Sequence, residues 1–157
     1  PVAFVCAGCK SILDVDRTLE VLETQGVAIF GYRTDSFATF FSTSDQYAAP
    51  LRAETVVDVR EWLETQKTLG LSRGGCVVAV PHDRTSSRID KAVAQAVEEL
   101  RQDHSIKGAA ATPFLLKRVR ELSGDESLEE NVRLVLRNAR IAAGVAAIIE
   151  PPPILII

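Results

Sequence analysis

The sequence has little of several features that mark whole classes of protein. Its only cysteines are Cys6, Cys9 and Cys76, an odd and small number that argues against a disulfide framework and suits a reducing compartment. The net charge is only −3 with both signs mixed, so neither nucleic acid nor an anionic membrane is an expected partner. No apolar run approaches the roughly 20 residues of a membrane span, and the first residues lack the pattern of a signal peptide. We therefore expect a cytoplasmic protein.

What the sequence does contain is an alternation of short apolar runs and amphipathic segments. The runs "PVAFVC", "VAIFGY" and "CVVAV" are typical of strands buried on both faces of a parallel sheet. The segments "DVDRTLEVLETQG", "AETVVDVREWLETQKTLG" and "SSRIDKAVAQAVEELRQDH" have helical periodicity, and Gly26 and Gly70 close the first two. We expect the following apolar side chains to face the core: Val15, Leu19, Leu22, Val56, Val59, Trp62 and Leu63. The order predicts an α/β protein, a three-layer α/β/α fold with a largely parallel central sheet.

Two further helices are predicted in the last third of the chain. Thr112 as N-cap and Pro113 at the first helical position begin one of them. Ser127 and Glu130, at capping-box spacing, begin a longer one. We assign residues 1–150 to one domain and 151–157, which include "PPPILII", to a tail that cannot continue a helix. Because the chain opens directly on a strand that reads as central, we expect it to be part of a larger domain.

The stretch "VCAGCKSILD" offers two kinds of chemistry. Cys6 and Cys9 form a C-x-x-C, which suits a thiol redox centre or half of a zinc site. The remaining candidate zinc ligands would be Cys76, His82 and His104. Lys10 follows the strand directly, where open α/β sheets place ligands, and a partly desolvated lysine there could form a Schiff base. The plainer alternatives are packed thiols and a solvated lysine or a phosphate contact.

Asn131 is a second candidate site residue. It lies in the first turns of the long predicted helix, close to backbone N–H groups that can hold an anion or a developing oxyanion. The alternative is an ordinary solvent-facing helix residue. The segment "GYRTDSFATFF" after the second strand could form a pocket wall or a packed loop, and the two histidines have no visible triad partners.

Several motifs occur together and in order: "AG-x-KSILD", "TLE-x-LET-x-GV", "GY-x-T" and "TPFLL … SLE-x-N". With them the sequence resembles the C-terminal half of the pseudouridine-5′-phosphate glycosidases, the indigoidine-synthase-A-like family. The resemblance covers nearly the whole chain apart from its last residues. It implies reversible cleavage of the C–C glycosidic bond of pseudouridine 5′-phosphate to uracil and ribose 5-phosphate. The family's Schiff-base lysine falls on Lys10, and the asparagine near the sugar falls on Asn131.

The resemblance also implies partners that this chain does not itself show. Family enzymes use a divalent metal, typically manganese, and we expect its aspartate ligand and the acid–base glutamate in the upstream half. They form trimers and work beside a pseudouridine kinase, so a homo-oligomer is expected.

The sequence departs from the family pattern at several motif positions. Val80 stands where "VVANP" has asparagine, and Ala109 and Ala110 stand where a lysine and a glutamate usually lie. Ala38, followed by Thr39, replaces the usual proline before "AFF". An alternative therefore stays open, in which the chain is a truncated, non-catalytic fragment that binds sugar phosphate or complements another half.

Overall fold

A computed structural model describes residues 2–10, 14–40, 47–71, 74–82, 87–124 and 126–147, and its centre is a parallel sheet. The strands within these residues are β1 (Ala3–Cys6), β2 (Cys9–Lys10), β3 (Ala28–Tyr32), β4 (Thr39–Phe40), β5 (Leu51–Ala53) and β6 (Cys76–Ala79). Four of them form the main sheet in the order β1-β6-β3-β5, with all neighbours parallel, while β2 and β4 pair separately. Because the main strands are parallel, their carboxyl ends lie together at one end of the sheet.

Three of the described helices cover the two faces of this sheet, and the other two pack mainly on each other. The described helices are α1 (Val15–Thr24), α2 (Val56–Thr68), α3 (Ser87–Gln102), α4 (Ala111–Ser123) and α5 (Glu126–Ala147), with a 3₁₀ turn at Gly108–Ala110. Val15 of α1 packs with Ile29 and Ala79 on one face. On the other face α2 and α5 pack against the sheet. The predicted three-layer α/β/α fold is therefore confirmed. None of the described helices is long and apolar enough to cross a membrane.

The larger core lies between the sheet and helices α2 and α5. Its fully buried members include Val59 of α2 and Val78 of β6, and Ile141 of α5 reaches the same cluster. The ring of Phe30 meets Trp62 edge to face, with centroids 5.7 Å apart. Each such side chain removes apolar surface from water, worth about 1.5–3 kcal/mol when burial is complete. This core fixes α5 on the sheet, and α5 carries one of the predicted site residues.

The amphipathic patterns place the inward-facing side chains correctly. Val15, Leu19 and Leu22 pack in the cluster under α1, and the four predicted residues of α2 pack in the larger core. Gly26 and Gly70 follow the ends of α1 and α2 with φ of 69° and 70°, the left-handed conformation expected of a glycine there.

The predicted starts of the last two helices are wrong by a residue or more. Helix α4 begins at Ala111, and Ala110 at its N-cap makes no side-chain cap, so Thr112 is already helical. The 3₁₀ turn before it, closed by the Ala110 N–H on the Lys107 carbonyl, leads directly into the helix. Helix α5 begins at Glu126, which places Ser127 inside it. The tail, residues 151–157, lies outside the described residues.

Candidate active site

Lys10 lies just beyond the carboxyl end of β1. The chain leaves β1 at Cys6, passes the buried Ala7, and turns at Gly8 into β2. In β2, Lys10 pairs in parallel register with Phe40 of β4. The backbone of Lys10 therefore lies beyond the carboxyl ends of the main strands, where open α/β folds bind ligands. Its side chain lies outside the described part of the structure.

The turn before Lys10 requires glycine. Gly8 has φ of 82°, and a Cβ built on it would lie 1.5 Å from the carbonyl oxygen of Ala38. No side chain fits there, because the backbone before β4 passes directly over Gly8. The close approach holds β2 beside β4. It gives a physical reason for the glycine in "AG-x-K", and it ties Lys10 to the segment that enters β4.

The segment after β6 is attached to α5 by two polar contacts. Nδ1 of His82 lies 4.0 Å from Oε1 of Glu130, and these side chains expose only 7% and 13% of their surface. Two turns along the helix, Nη1 of Arg137 donates a 2.8 Å hydrogen bond to the carbonyl of Pro81. Glu130 also faces Arg133, with 3.5 Å between Nη1 and Oε2. We call Pro81, His82, Glu130 and Arg137 the β6–α5 clamp.

The clamp sets the position of Asn131. Asn131 is partly buried in α5, one residue after Glu130, so it lies near the carboxyl end of β6. Because β6 pairs with β1, the strand that leads to Lys10 is the immediate neighbour. The fold thus brings the two elements that carry the predicted site residues, β2 and α5, to the carboxyl end of the main sheet. Sequence reasoning missed the clamp, since nothing in the spacing of His82 and Glu130 joins them.

The segment after β3 is a packed loop rather than an open wall. Phe37 is buried beneath α1, and Tyr32 is buried on the opposite face of the sheet. Arg33 adopts a φ of 57°, its Nε donates to the Glu54 carbonyl at 2.9 Å, and its guanidinium lies 5.3 Å from the centre of the Tyr32 ring. Asp35 is paired with Arg52 at 2.9 Å. These polar groups hold the loop in place.

The cysteines have the properties of packed thiols. Burial raises the pKa of the Cys6 and Cys9 thiols above the ordinary value, and it raises that of Cys76 to about 11. A redox centre needs the opposite shift, because the thiolate is the reactive form. Among the described residues no three His, Cys, Asp or Glu side chains are grouped as metal ligands. The thiol and zinc hypotheses therefore receive no support from the described part of the chain.

The sequence departures lie in different surroundings. Val80 follows β6 and is completely buried in the larger core, where an asparagine would need hydrogen-bond partners. Ala109 and Ala110 belong to the 3₁₀ turn before α4. Ala38 is buried, and its carbonyl is the group that approaches Gly8.

Comparison with known proteins identifies the family. The family model described as indigoidine synthase A like protein matches residues 1–148. The chain belongs to the indigoidine synthase A-like family. Within the family, it is 43% identical over 149 residues to a pseudouridine-5′-phosphate glycosidase of Geobacillus kaustophilus, covering 92% of this chain and 49% of that one. A glycosidase of the same name from Methylobacterium nodulans is 46% identical over 150 residues, covering 93% and 44%.

Two solved structures share the fold of this chain. The prealnumycin C-glycosynthase AlnA in complex with ribulose 5-phosphate superposes with a TM-score of 0.71 at 28% identity, over 94% of this chain and 50% of that one. An indigoidine synthase A-like protein from Thermotoga maritima gives 0.72 at 29% identity, over 92% and 48%. The chain spans about half the length of the curated relatives it matches.

Proposed function

We propose that this chain supplies the Schiff-base half of a pseudouridine-5′-phosphate glycosidase. The reaction is the reversible cleavage of the C–C bond between uracil and ribose 5-phosphate. Curated relatives at 43% and 46% identity carry this name, and a structural neighbour that joins a sugar through carbon was solved with a sugar phosphate. The observation that carries the proposal for the site is the position of Lys10, in a short strand beyond the carboxyl end of β1.

Lys10 acts as the nucleophile in this proposal. A carbon leaving group departs poorly, so direct hydrolysis of the bond would be slow. The neutral amine of Lys10 bonds to C1′ as the C1′–O4′ bond breaks and O4′ takes up a proton, which opens the sugar ring. The nitrogen lone pair then forms the iminium at C1′ as the C1′–C5 bond breaks; the electron pair of that bond stays on C5 of uracil, which takes up a proton. Hydrolysis of the imine then releases ribose 5-phosphate and restores the amine. In the reverse direction the amine and the aldehyde lose one water to form the same imine.

Asn131 orients the sugar in this proposal. Its amide offers both a donor and an acceptor to hydroxyl groups, and the β6–α5 clamp fixes the turn of α5 on which it lies. The β6–α5 clamp therefore acts on catalysis by positioning Asn131 and not by contact with the substrate.

The metal and the acid–base group are assigned to the other half of the family fold. Among the described residues no His, Cys, Asp and Glu side chains form a metal-ligand group, and we assign the metal ligand to the other half. Manganese, with its aspartate ligand in the other half, stays a prediction, as do the trimer and the pseudouridine kinase partner. The non-catalytic alternative is not favoured, because the relatives bear the name of the enzyme.

Turnover tests this proposal most simply in the synthetic direction. A chimera is made in which the chain replaces the matched half of the Geobacillus kaustophilus relative. Uracil and ribose 5-phosphate are incubated with the chain and, separately, with the chimera. The pseudouridine 5′-phosphate that forms is measured by chromatography. We expect product from the chimera, no product from the chimera with Lys10→Ala, and undiminished product with Cys9→Ala, the adjacent control. Equal activity of the Lys10→Ala and unsubstituted chimeras would remove Lys10 from the mechanism.

A further inference from the structure

Two exposed apolar side chains lie on β1, the strand at one edge of the main sheet. Val2, just before the strand, and Phe4 within it expose 72% and 63% of their surface. Ala3 and Val5, whose side chains point to the opposite face, pack on the larger core beneath α5. One face of β1 is therefore covered by a helix, while the other face presents a phenylalanine to solvent.

The same strand has a free backbone edge in the described structure. The carbonyls of Val2 and Cys6 accept hydrogen bonds from the N–H groups of Cys76 and Val80, so the even-numbered residues of β1 face β6. Successive residues of a strand direct their backbone groups to opposite sides. The N–H and C=O groups of Ala3 and Val5 therefore point away from the sheet. An open parallel edge beside an exposed aromatic side chain is a site for strand addition.

We propose that this β1 face, meaning Val2, Phe4 and the free edge of Ala3 and Val5, binds the half of the family fold that this chain does not match. The chain aligns over 92% of itself but over 49% of the Geobacillus kaustophilus relative, so the family fold contains a second polypeptide segment of similar size. That segment adds a strand to β1 and places apolar side chains on Phe4. The added strand continues the main sheet beside β1, the strand that leads to Lys10, and its side chains exclude water from Phe4.

Another exposed apolar surface fits this occupant less well. On α5, the side chains of Leu128, Val132, Val135 and Leu136 are 45–61% exposed. A helix has already satisfied its backbone hydrogen bonds, so this stripe offers only apolar contact. The β1 face combines unpaired backbone groups with apolar area, and the two together favour an extended polypeptide as its occupant.

Amide exchange tests the proposal directly and without enzyme activity. In the chain alone, the N–H groups of Ala3 and Val5 should exchange with solvent deuterium much faster than those of Phe4 and Cys6, which face β6. In the chimera with the relative's other half, all four should be protected, with Ala3 and Val5 slowed at least about 100-fold. Unchanged exchange at Ala3 and Val5 in the chimera would overturn the proposal, and so would separate unfolding of the two halves.

Substitution on the face provides the second test. The tagged chain is expressed together with the untagged other half of the Geobacillus kaustophilus relative, and co-purification is measured. Phe4→Asp should reduce recovery of the untagged half at least ten-fold. Leu51→Asp, which places the same charge on an exposed position of the opposite edge strand β5, should leave recovery unchanged.

Other results of the second test contradict the proposal. Equal loss with Phe4→Asp and Leu51→Asp would show that charge on any edge strand disturbs the complex. A stable dimer of the chain alone that Phe4→Asp dissociates would assign the face to a second copy. These readouts are independent of the proposed glycosidase reaction, because a chimera with Lys10→Ala should protect Ala3 and Val5 equally well while forming no product.

Discussion

Replacing Gly8 by alanine tests the geometry that holds Lys10 in place. The new Cβ would begin 1.5 Å from the Ala38 carbonyl oxygen, and relief requires a backbone movement of about 2 Å to reach an ordinary contact of 3.4 Å. The φ of 82° adds strain of about 1 kcal/mol for an L residue, and overpacking typically adds about 1–3 kcal/mol. We expect Gly8→Ala to lose about 3 kcal/mol of unfolding free energy and to displace β2 from β4.

Gly26→Ala is the matched control for this prediction. Gly26 also has a positive φ, 69°, but a Cβ on it meets nothing within 4 Å, so only the conformational strain remains. Urea unfolding followed by the fluorescence of Trp62, the single tryptophan, compares the two variants. At a slope of about 1.5 kcal/mol per molar, the midpoints should differ by roughly 1 M or more. Equal losses in the two variants would refute the close approach of Gly8 to Ala38.

Three further predictions concern other contacts. Arg118 of α4 donates hydrogen bonds of 2.6 and 2.9 Å to the carboxylate of Glu99 in α3 and lowers the pKa of that carboxyl below its ordinary value of 4.5. The stabilisation is therefore present above the ordinary pKa and is lost as pH falls through the folded pKa. Glu99→Gln should flatten this acid limb of a stability–pH curve, and an unchanged limb would contradict the pairing. Arg137→Ala should cost about 1 kcal/mol in urea unfolding, because the Pro81 carbonyl loses its donor; no loss would mean that the clamp does not form. Burial raises the pKa of the Cys76 thiol to about 11. We therefore expect negligible alkylation of Cys76 at pH 8 in the folded chain and rapid alkylation in urea, both measured by mass spectrometry. Rapid labelling without urea would contradict the burial of this thiol.

The main sheet was predictable where strands are buried on both faces. The runs that became β3 and β6 are apolar because helices cover both of their faces, and the amphipathic segments between the strands carry their own periodicity. For β1 the expected burial on both faces is wrong in the described structure, because β1 lies at an edge of the sheet and Phe4 is 63% exposed. Strand β5 was missed because Leu51 and Arg52 are exposed at an edge, so its three residues show no buried run. The two-residue strands β2 and β4 are too short for any pattern, although one of them contains Lys10.

The candidate site was predictable from motifs and only partly from chemistry. The resemblance, more than composition, singled out Lys10 and Asn131. The pairing of His82 with Glu130 depends on where β6 ends and how α5 packs across the sheet, and neither is encoded in local spacing. The capping-box prediction for Ser127 and Glu130 was wrong, because α5 begins at Glu126. Glu130 instead faces His82, which is distant in the sequence.

Borohydride trapping tests the central claim that Lys10 forms an imine with the sugar phosphate. The chain and the chimera are incubated with ribose 5-phosphate, reduced, digested and mapped by mass spectrometry. We expect a reduced sugar adduct on Lys10 of the chimera, its loss in Lys10→Ala, and no comparable adduct on Lys67, Lys91, Lys107 or Lys117. A folded chimera that forms product but carries no adduct on Lys10, or carries it equally on those other lysines, would show that Lys10 is not the imine-forming residue.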